Sequence, residues 1–155
     1  IEKAPANVAD ALADAIRAAR PLAERRDIAM RVGDLPPLVM AADFGRLRQM
    51  FLIVLDNAVK FSPAESVVEI TVNEEVDRWA IAVRDHGPGI APEVLPHLFR
   101  RFQRQKGAAN ADGTGLGLSI AQAIADRHDI TLAAANAEGG GAVFTFRGPR
   151  TPDLH

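Results

Sequence analysis

Asp85-His86-Gly87-Pro88-Gly89-Ile90 and, after a polar interval, Gly113-Thr114-Gly115-Leu116-Gly117-Leu118-Ser119 are the stretches that decide how this chain folds. Backbone approaches an oxyanion closely only where no Cβ intervenes, so two glycine turns with a lid-like segment between them point to a phosphate-bearing ligand. Other glycine motifs fail on context. A Walker loop needs Lys-Ser or Lys-Thr after its last glycine, and Leu118-Ser119 supplies neither. A dinucleotide fingerprint needs an apolar strand directly before its first glycine, whereas Gln105 to Asp112 is polar.

Composition limits what those turns can serve. A chain of 155 residues with 48% hydrophobic and 25% charged content fits one α/β or α+β domain with an ordinary core. A net charge of -2 gives no general attraction to nucleic acid or anionic lipid, so neither nucleic-acid binding nor direct membrane contact is expected and any anion site must be local. The absence of cysteine excludes a disulfide framework, a thiolate metal site and a cysteine nucleophile, in agreement with a reducing compartment. No apolar run approaches the roughly 20 residues of a membrane span, and no signal-peptide pattern opens the chain. Beginning at Ile1 rather than Met, it reads as a soluble fragment of a longer protein.

Outward from the glycine turns, periodicity supplies the elements. Val8, Leu12, Ala15, Ile16, Ala19 and Leu22 recur at helical spacing behind Pro5 and Asn7, which predicts a helix over about 8–25. Ile28 to Val32 alternates as a strand, Gly33 to Pro37 carries turn residues, and Leu38 to Met40 follows. Asp43 is placed to cap a second helix whose stripe of Phe44, Leu47, Met50, Phe51, Val54, Leu55 and Ala58 ends near Ser62-Pro63. Val67 to Val72 and Trp79 to Val83 read as strands around a turn, the second delivering Asp85 at its end. Pro92 to Leu98 reads as a short helix, Gln103 to Asp112 as a polar loop and Leu116 to Arg127 as a third long helix. Ile130 to Ala134 and Ala142 to Phe146 are two further strands joined at Gly139-Gly140-Gly141, and Arg147 to His155 reads as a frayed tail. The domain boundary is set at 1–149, with 150–155 outside it.

Three groups of residues carry candidate chemistry, each with a plainer alternative. Asn57 interrupts an apolar helix and shares a face with Lys60, so an amide oxygen and an ammonium could hold a hydrated divalent ion and a phosphate. The alternative is a solvent-facing Asn57 beside an exposed Asp56–Lys60 pair. Asp85 could accept from the exocyclic amine of a purine, or could bond only its own turn. Gly113, Gly115 and Gly117 precede an apolar helix whose amides and dipole suit phosphate; the alternative is a bare loop-to-helix junction.

Taken in order, Leu55-Asp56-Asn57-Ala58-Val59-Lys60-Phe61-Ser62-Pro63, Asp85 to Ile90, Leu98-Phe99-Arg100-Arg101-Phe102 and Gly113 to Ser119 resemble the N, G1, F and G2 boxes of sensor histidine kinases. The resemblance runs from Asp43-x-x-Arg46-Leu47-x-Gln49 to Gly141-x-x-Phe144. It implies the Bergerat-type ATP-binding fold, an α/β two-layer sandwich with a mixed sheet of about five strands and three main helices on one face, shared with gyrase, mismatch-repair and heat-shock chaperone ATPases. It also implies ATP and Mg²⁺ as cofactors and γ-phosphoryl transfer to a histidine. By this resemblance Asn57 ligates the metal, Lys60 and Arg104 meet the phosphates, and Phe61 walls the adenine. Asp85 reads the adenine amine, with Gly87, Gly89 and Ile90 letting the base approach. Phe99 and Phe102 form the F box and Gln103 to Asp112 the lid. Gly113, Thr114, Gly115, Leu116, Gly117 and Leu118 form the triphosphate cradle. A single protein oxygen suffices for Mg²⁺, which keeps several waters and bridges phosphate oxygens.

The chain also departs from that pattern. Ile53 stands where many members carry a second Asn, Gln103 replaces a frequent Tyr, and Asp112 a frequent Gly or Ser. His128-Asp129-Ile130 replaces a common His-Gly-Gly, and Ala142-Val143 lacks hydroxyls often found there. None of His86, His97, His128 and His155 lies in a phosphoacceptor-like helical segment, so each is assigned a surface or packing role, with a helix-dipole rationale for a charged His128. The resemblance therefore places the nucleophile on an adjoining dimerisation and histidine-phosphotransfer domain. Its further implications are a response-regulator receiver as the downstream partner, a cytoplasmic location, a homodimeric intact protein and a monomeric fragment. Two alternatives remain open. One is a degenerate nucleotide-sensing module in which Ile53 marks lost catalysis; the other is an ATPase that dimerises through an N-terminal strap.

Overall fold

Periodicity and capping account for the helices of the computed structural model, which describes residues 2–100 and 114–150. Helix α1 (Val8–Arg25) buries Val8, Ala11, Leu12, Ala15, Ile16, Ala19 and Ala23, and Asn7 caps it by accepting the Ala9 N–H at 3.1 Å. Helix α2 (Phe44–Phe61) is capped by Asp43, whose carboxylate accepts the Arg46 N–H at 3.2 Å. It stops at Ser62, which is extended because it precedes Pro63. Helix α3 spans Thr114–Arg127.

The strands among the described residues are β1 (Ala4–Asn7), β2 (Ala29–Val32), β3 (Val39–Ala42), β4 (Val67–Glu74), β5 (Arg78–Arg84), β6 (Thr131–Asn136) and β7 (Ala142–Pro149). Five form a mixed sheet in the order β2-β4-β5-β7-β6, with β2 and β4 parallel and the other pairs antiparallel. Alternation puts Val68, Ile70, Trp79, Ile81, Val83, Leu132, Ala142, Phe144 and Phe146 into the core shared with the helices. Phe51 of α2 meets Phe146 of β7 edge to face at 4.9 Å, and full burial of a side chain this size is worth about 1.5–3 kcal/mol. The two-layer sandwich, with its five-stranded mixed sheet and three helices, is the expected architecture.

Three local expectations are corrected. Ala4–Asn7 is a strand paired antiparallel with Val39–Ala42 and not merely a helix lead-in. The Asn7 cap oxygen also accepts the Leu38 N–H at 2.9 Å, and this contact from a distant part of the sequence holds the pair together. The helix expected over Pro92 to Leu98 shrinks to a 3₁₀ turn, Leu95–His97, because Pro92 and Pro96 lack the N–H groups a helical ladder needs. Arg147 to Pro149 do not fray: they pair with Arg78 to Ala80, and Gly148 lies so close to Trp79 that a Cβ there would come within 2.8 Å of its ring. Arg150 continues the attachment, its N–H donating to Asp77 O at 3.0 Å and its guanidinium reaching Glu74 at 2.8 Å.

The replacement of His-Gly-Gly also has a local solution. Asp129 itself adopts the left-handed conformation, φ 56°, and lets the Ile130 N–H return to Ala125 O at 3.0 Å.

Candidate functional site

Strand alternation explains how a carboxylate comes to be buried at the end of β5. Trp79, Ile81 and Val83 face the core, and Asp85 continues the period at 4% exposure. Its N–H donates to Ala142 O at 2.9 Å, while Oδ1 accepts from Gly87 N–H at 2.9 Å and Ala142 N–H at 3.1 Å. Oδ2 takes no hydrogen bond from the described residues. The plain Asx-turn role is thus real but uses one oxygen, and Oδ2 is left open to accept from a further donor.

The segment that follows is pressed between α2 and the β6–β7 hairpin. A Cβ at Gly87 would overlap the Phe61 carbonyl oxygen and stand 3.1 Å from its carbon, so only glycine lets the loop rest on the end of α2. On the other side Gly141, at φ +86°, lies so close that a Cβ would overlap Asp85 O. Ile90 leaves the loop with its N–H donating to Asn136 Oδ1 at 2.7 Å and its carbonyl accepting from Asn136 Nδ2 at 2.9 Å.

Helix α2 supplies the opposite wall. Ile53, Asn57, Lys60 and Phe61 fall at i, i+4, i+7 and i+8 and share one face. Asn57 and Lys60 are half-buried and Phe61 is exposed. The Lys60 carbonyl accepts from Arg26 at 2.8 Å, and buried Ser62 returns its hydroxyl to Ala58 O at 2.8 Å, so this helix end is held from both sides. Desolvation raises the Asp56 carboxyl above its ordinary value, opposed by the nearby charge of Lys60. The two side chains form no direct ion pair among the described residues, while the Lys60 charge still acts on Asp56.

The remaining expected site residues divide. Gly117 lies beside Ile53, whose Cγ2 would be 3.7 Å from a Cβ at that position, and Leu118 is buried in the core. Thr114, Gly115 and Leu116 form the first turn of α3. The structure therefore brings the start of α3 against α2 one turn before Asn57, and the Asp85–Ile90 loop against α2 one turn after it. Phe99 packs edge to face on Phe144, 6.1 Å between centroids, and so serves the core beneath the loop. Phe102, Arg104, Gly113 and the segment Gln103 to Asp112 lie outside the described residues.

The histidines also differ from one another. His128 is 1% exposed: Nδ1 donates to Ile124 O at 2.8 Å and Nε2 accepts the Asp43 N–H at 3.1 Å. An accepting Nε2 makes the ring neutral, so His128 ties the end of α3 to the start of α2, and the dipole rationale for a charged imidazole is set aside. His86 donates from Nδ1 to Val67 O at 2.9 Å, and its Nε2 lies 3.9 Å from Glu69. Sequence reasoning misses Asn136, and it places Gly141 and Ala142 in the family resemblance without showing that they hold Asp85. The signal for Gly141 was the third consecutive glycine, more than a simple turn requires.

Among the described residues there is no cluster of three or more His, Cys, Asp or Glu side chains that could hold a metal. No described helix is long and apolar enough to cross a membrane.

Comparison with known proteins agrees with this geometry. Residues 42–152 match the family model described as histidine kinase-, DNA gyrase B-, and HSP90-like ATPase. The sensor histidine kinase YkoH of Bacillus subtilis is 41% identical over 142 residues, 86% of this chain and 31% of that protein. The sensor protein QseC of Escherichia coli is 48% identical over 88 residues, 57% of this chain and 18% of that protein. The chain thus spans about a third or less of these curated relatives. Among solved structures, the mycobacterial sensor histidine kinase MprB superposes with a TM-score of 0.84 at 27% identity, covering 95% of this chain and 98% of that one. The catalytic domain of histidine kinase ThkA gives 0.83 at 25% identity, with 100% of both chains covered. A buried carboxylate at a strand end, a glycine loop resting on a helix terminus, and these matches converge: the chain belongs to the histidine kinase-, DNA gyrase B-, and HSP90-like ATPase family and is similar to the catalytic domains of sensor histidine kinases.

Proposed function

We propose that this domain binds ATP with Mg²⁺ and presents the γ-phosphoryl group to a histidine on an adjoining dimerisation and phosphotransfer domain, from which it passes to a response-regulator aspartate. The observation that carries the reading is Asp85: a buried carboxylate with Oδ1 committed to Gly87 and Ala142 and Oδ2 without a bond from the described residues suits an exocyclic amine donor. The crowding at Gly87 is in keeping with it, since a loop that tolerates no Cβ rests its backbone directly on the end of α2 beside Asp85. Bound there, ATP·Mg²⁺ supplies a transferable phosphoryl group with its charge partly neutralised.

The chain's own part is positioning and electrostatics. Asp85 orients the base, and Phe61, exposed at the end of α2, offers an apolar wall. Asn57 presents a neutral oxygen to the metal, and Lys60 presents its ammonium to the phosphates. The first amides of α3, from Thr114 to Leu118, offer the helix N-terminus to the triphosphate, and Gly113 and Arg104 are assigned to the same phosphates by the family resemblance. The domain works on the cytoplasmic side, alone as a monomer and in the intact protein as part of a homodimer.

Calorimetric titration of the chain with ATP and ADP, with and without Mg²⁺, tests the reading. Magnesium-dependent binding that weakens to a magnesium-independent level in Asn57→Ala is expected. No binding at millimolar nucleotide by a chain shown to be folded refutes it.

A further inference from the structure

The Asp85–Ile90 loop is gripped at both ends by one hairpin. At its entry, Ala142 of β7 exchanges a pair of bonds with Asp85, N–H to carbonyl at 2.9 Å and N–H to carboxylate at 3.1 Å. At its exit, the carboxamide of Asn136 on β6 bonds both backbone groups of Ile90, at 2.7 and 2.9 Å. Asn136 and Ala142 face each other across the hairpin as its last cross-strand pair. The two grips therefore share one rigid base, and Asn136 stands in for a strand neighbour that Ile90 does not have. We infer that Asn136 is a positioning residue for nucleotide binding, fixing the exit of the loop so that Asp85 Oδ2 and the Gly87–Gly89 backbone are held in place before the ligand arrives. The inference rests on the nucleotide reading above.

Two features separate this role from ordinary structural support. Asn136 is exposed, so its side chain contributes no core burial. Its oxygen also lies where a Cβ on Gly89 would meet it at 2.9 Å, so the same carboxamide that bonds Ile90 limits how far Gly89, at φ +83°, can move. Removing the carboxamide frees the loop exit while leaving the Asp85 end tied, and the ordering of those residues must then be supplied on binding.

The experiment compares the unaltered chain with Asn136→Ala and Asn136→Asp, reading ATP and ADP affinity by calorimetry, thermal midpoint, and amide hydrogen exchange at Ile90. The expected result is affinity about tenfold weaker in Asn136→Ala, equal to about 1.4 kcal/mol, by the same factor for ATP and ADP because the loop serves the base and not the phosphates. The Ile90 amide should exchange faster, with a nearly unchanged midpoint. Asn136→Asp keeps the acceptor for Ile90 N–H and loses the donor to Ile90 O, so it should fall between the two and serves should the alanine variant fail to fold. Equal affinities in a folded variant, or an Ile90 amide exchanging as before, overturn the inference alone. Failure of the unaltered chain to bind either nucleotide overturns the nucleotide reading and the inference with it.

Discussion

Asp85→Asn separates the turn-holding role that the structure shows for this carboxylate from the adenine-reading role proposed for it. The substitution keeps the shape and leaves an amide oxygen able to accept from Gly87 and Ala142, at 2.9 and 3.1 Å in the parent. Those bonds change from charge-assisted to neutral, from roughly 1.5–3 to roughly 0.5–1.5 kcal/mol each, so the expected stability loss is about 2 kcal/mol. For a domain of this size that is a drop of about 4–8 °C in melting temperature. Asp85→Ala should cost more, because two N–H groups around a residue at 4% exposure lose their acceptor at about 1–3 kcal/mol each. Binding should respond differently. In Asp85→Asn the NH₂ group replaces Oδ2 and meets the adenine amine donor to donor, which should weaken ATP binding by about 100-fold, or about 2.7 kcal/mol. Differential scanning calorimetry and nucleotide titration on the same preparations read both quantities. An Asp85→Asn chain that binds ATP within twofold of the parent would show that Oδ2 reads nothing and that Asp85 serves only its turn.

Other predictions test the frame around that carboxylate. Gly141→Ala combines a disfavoured φ of +86° with a Cβ 2.9 Å from both the Asp85 carbonyl carbon and His86 Cα, and should lower stability by more than about 2 kcal/mol in chemical denaturation; a loss under about 0.5 kcal/mol would refute the close packing. His128→Leu leaves the buried Asp43 N–H and Ile124 O without their bridge and should cost about 2–4 kcal/mol, whereas a surface histidine would cost almost nothing. Because desolvation raises the Asp56 carboxyl, folding disfavours its ionised form, and the stability it contributes is present below its unfolded pKa and lost as pH rises through its folded one. Asp56→Asn should therefore raise the melting temperature at neutral pH and leave it unchanged near about pH 3, below the usual carboxylate range; an equal gain at both would assign the effect to something other than charge.

The parts of this fold legible in sequence are those that local chemistry decides. The Asp43 cap, the α2 stripe from Leu47 to Ala58 and the Ser62-Pro63 stop all lie within one segment and appear where their residues predict, whereas Phe44, expected to open the stripe, is exposed. The parts that were not legible depend on contacts between distant residues. Nothing near Ala4 announces a strand, because its partner is Val39–Ala42 and the pair is tied by Asn7 reaching Leu38. Arg147 to Pro149 look like a tail until β5 is seen to begin at Arg78 and offer them a full set of partners. Asn136 was invisible for the same reason: as the last residue of a polar-ended strand it resembles a turn residue, and its meaning comes from Ile90, 46 positions away.

The candidate site divides along the same line. Asn57, Lys60, Asp85 and the glycines could be found because their residue types are unusual for the helix or strand end that carries them. What holds them could not, and it consists largely of backbone. Phe61 O beneath Gly87, Asp85 O beneath Gly141 and the Ala142 amide on Asp85 Oδ1 involve main-chain atoms that every residue has. Such contacts enter the sequence only as the residues they forbid, which is why glycine marks them at 87 and 141. This gives the departures Ala142 and Ile53 a physical meaning. Ala142 acts through its N–H and carbonyl, so the hydroxyl it lacks plays no part in holding Asp85. Ile53 instead lies beside Gly117 with an apolar side chain packed against the core, so at this level α2 meets the start of α3 through packing.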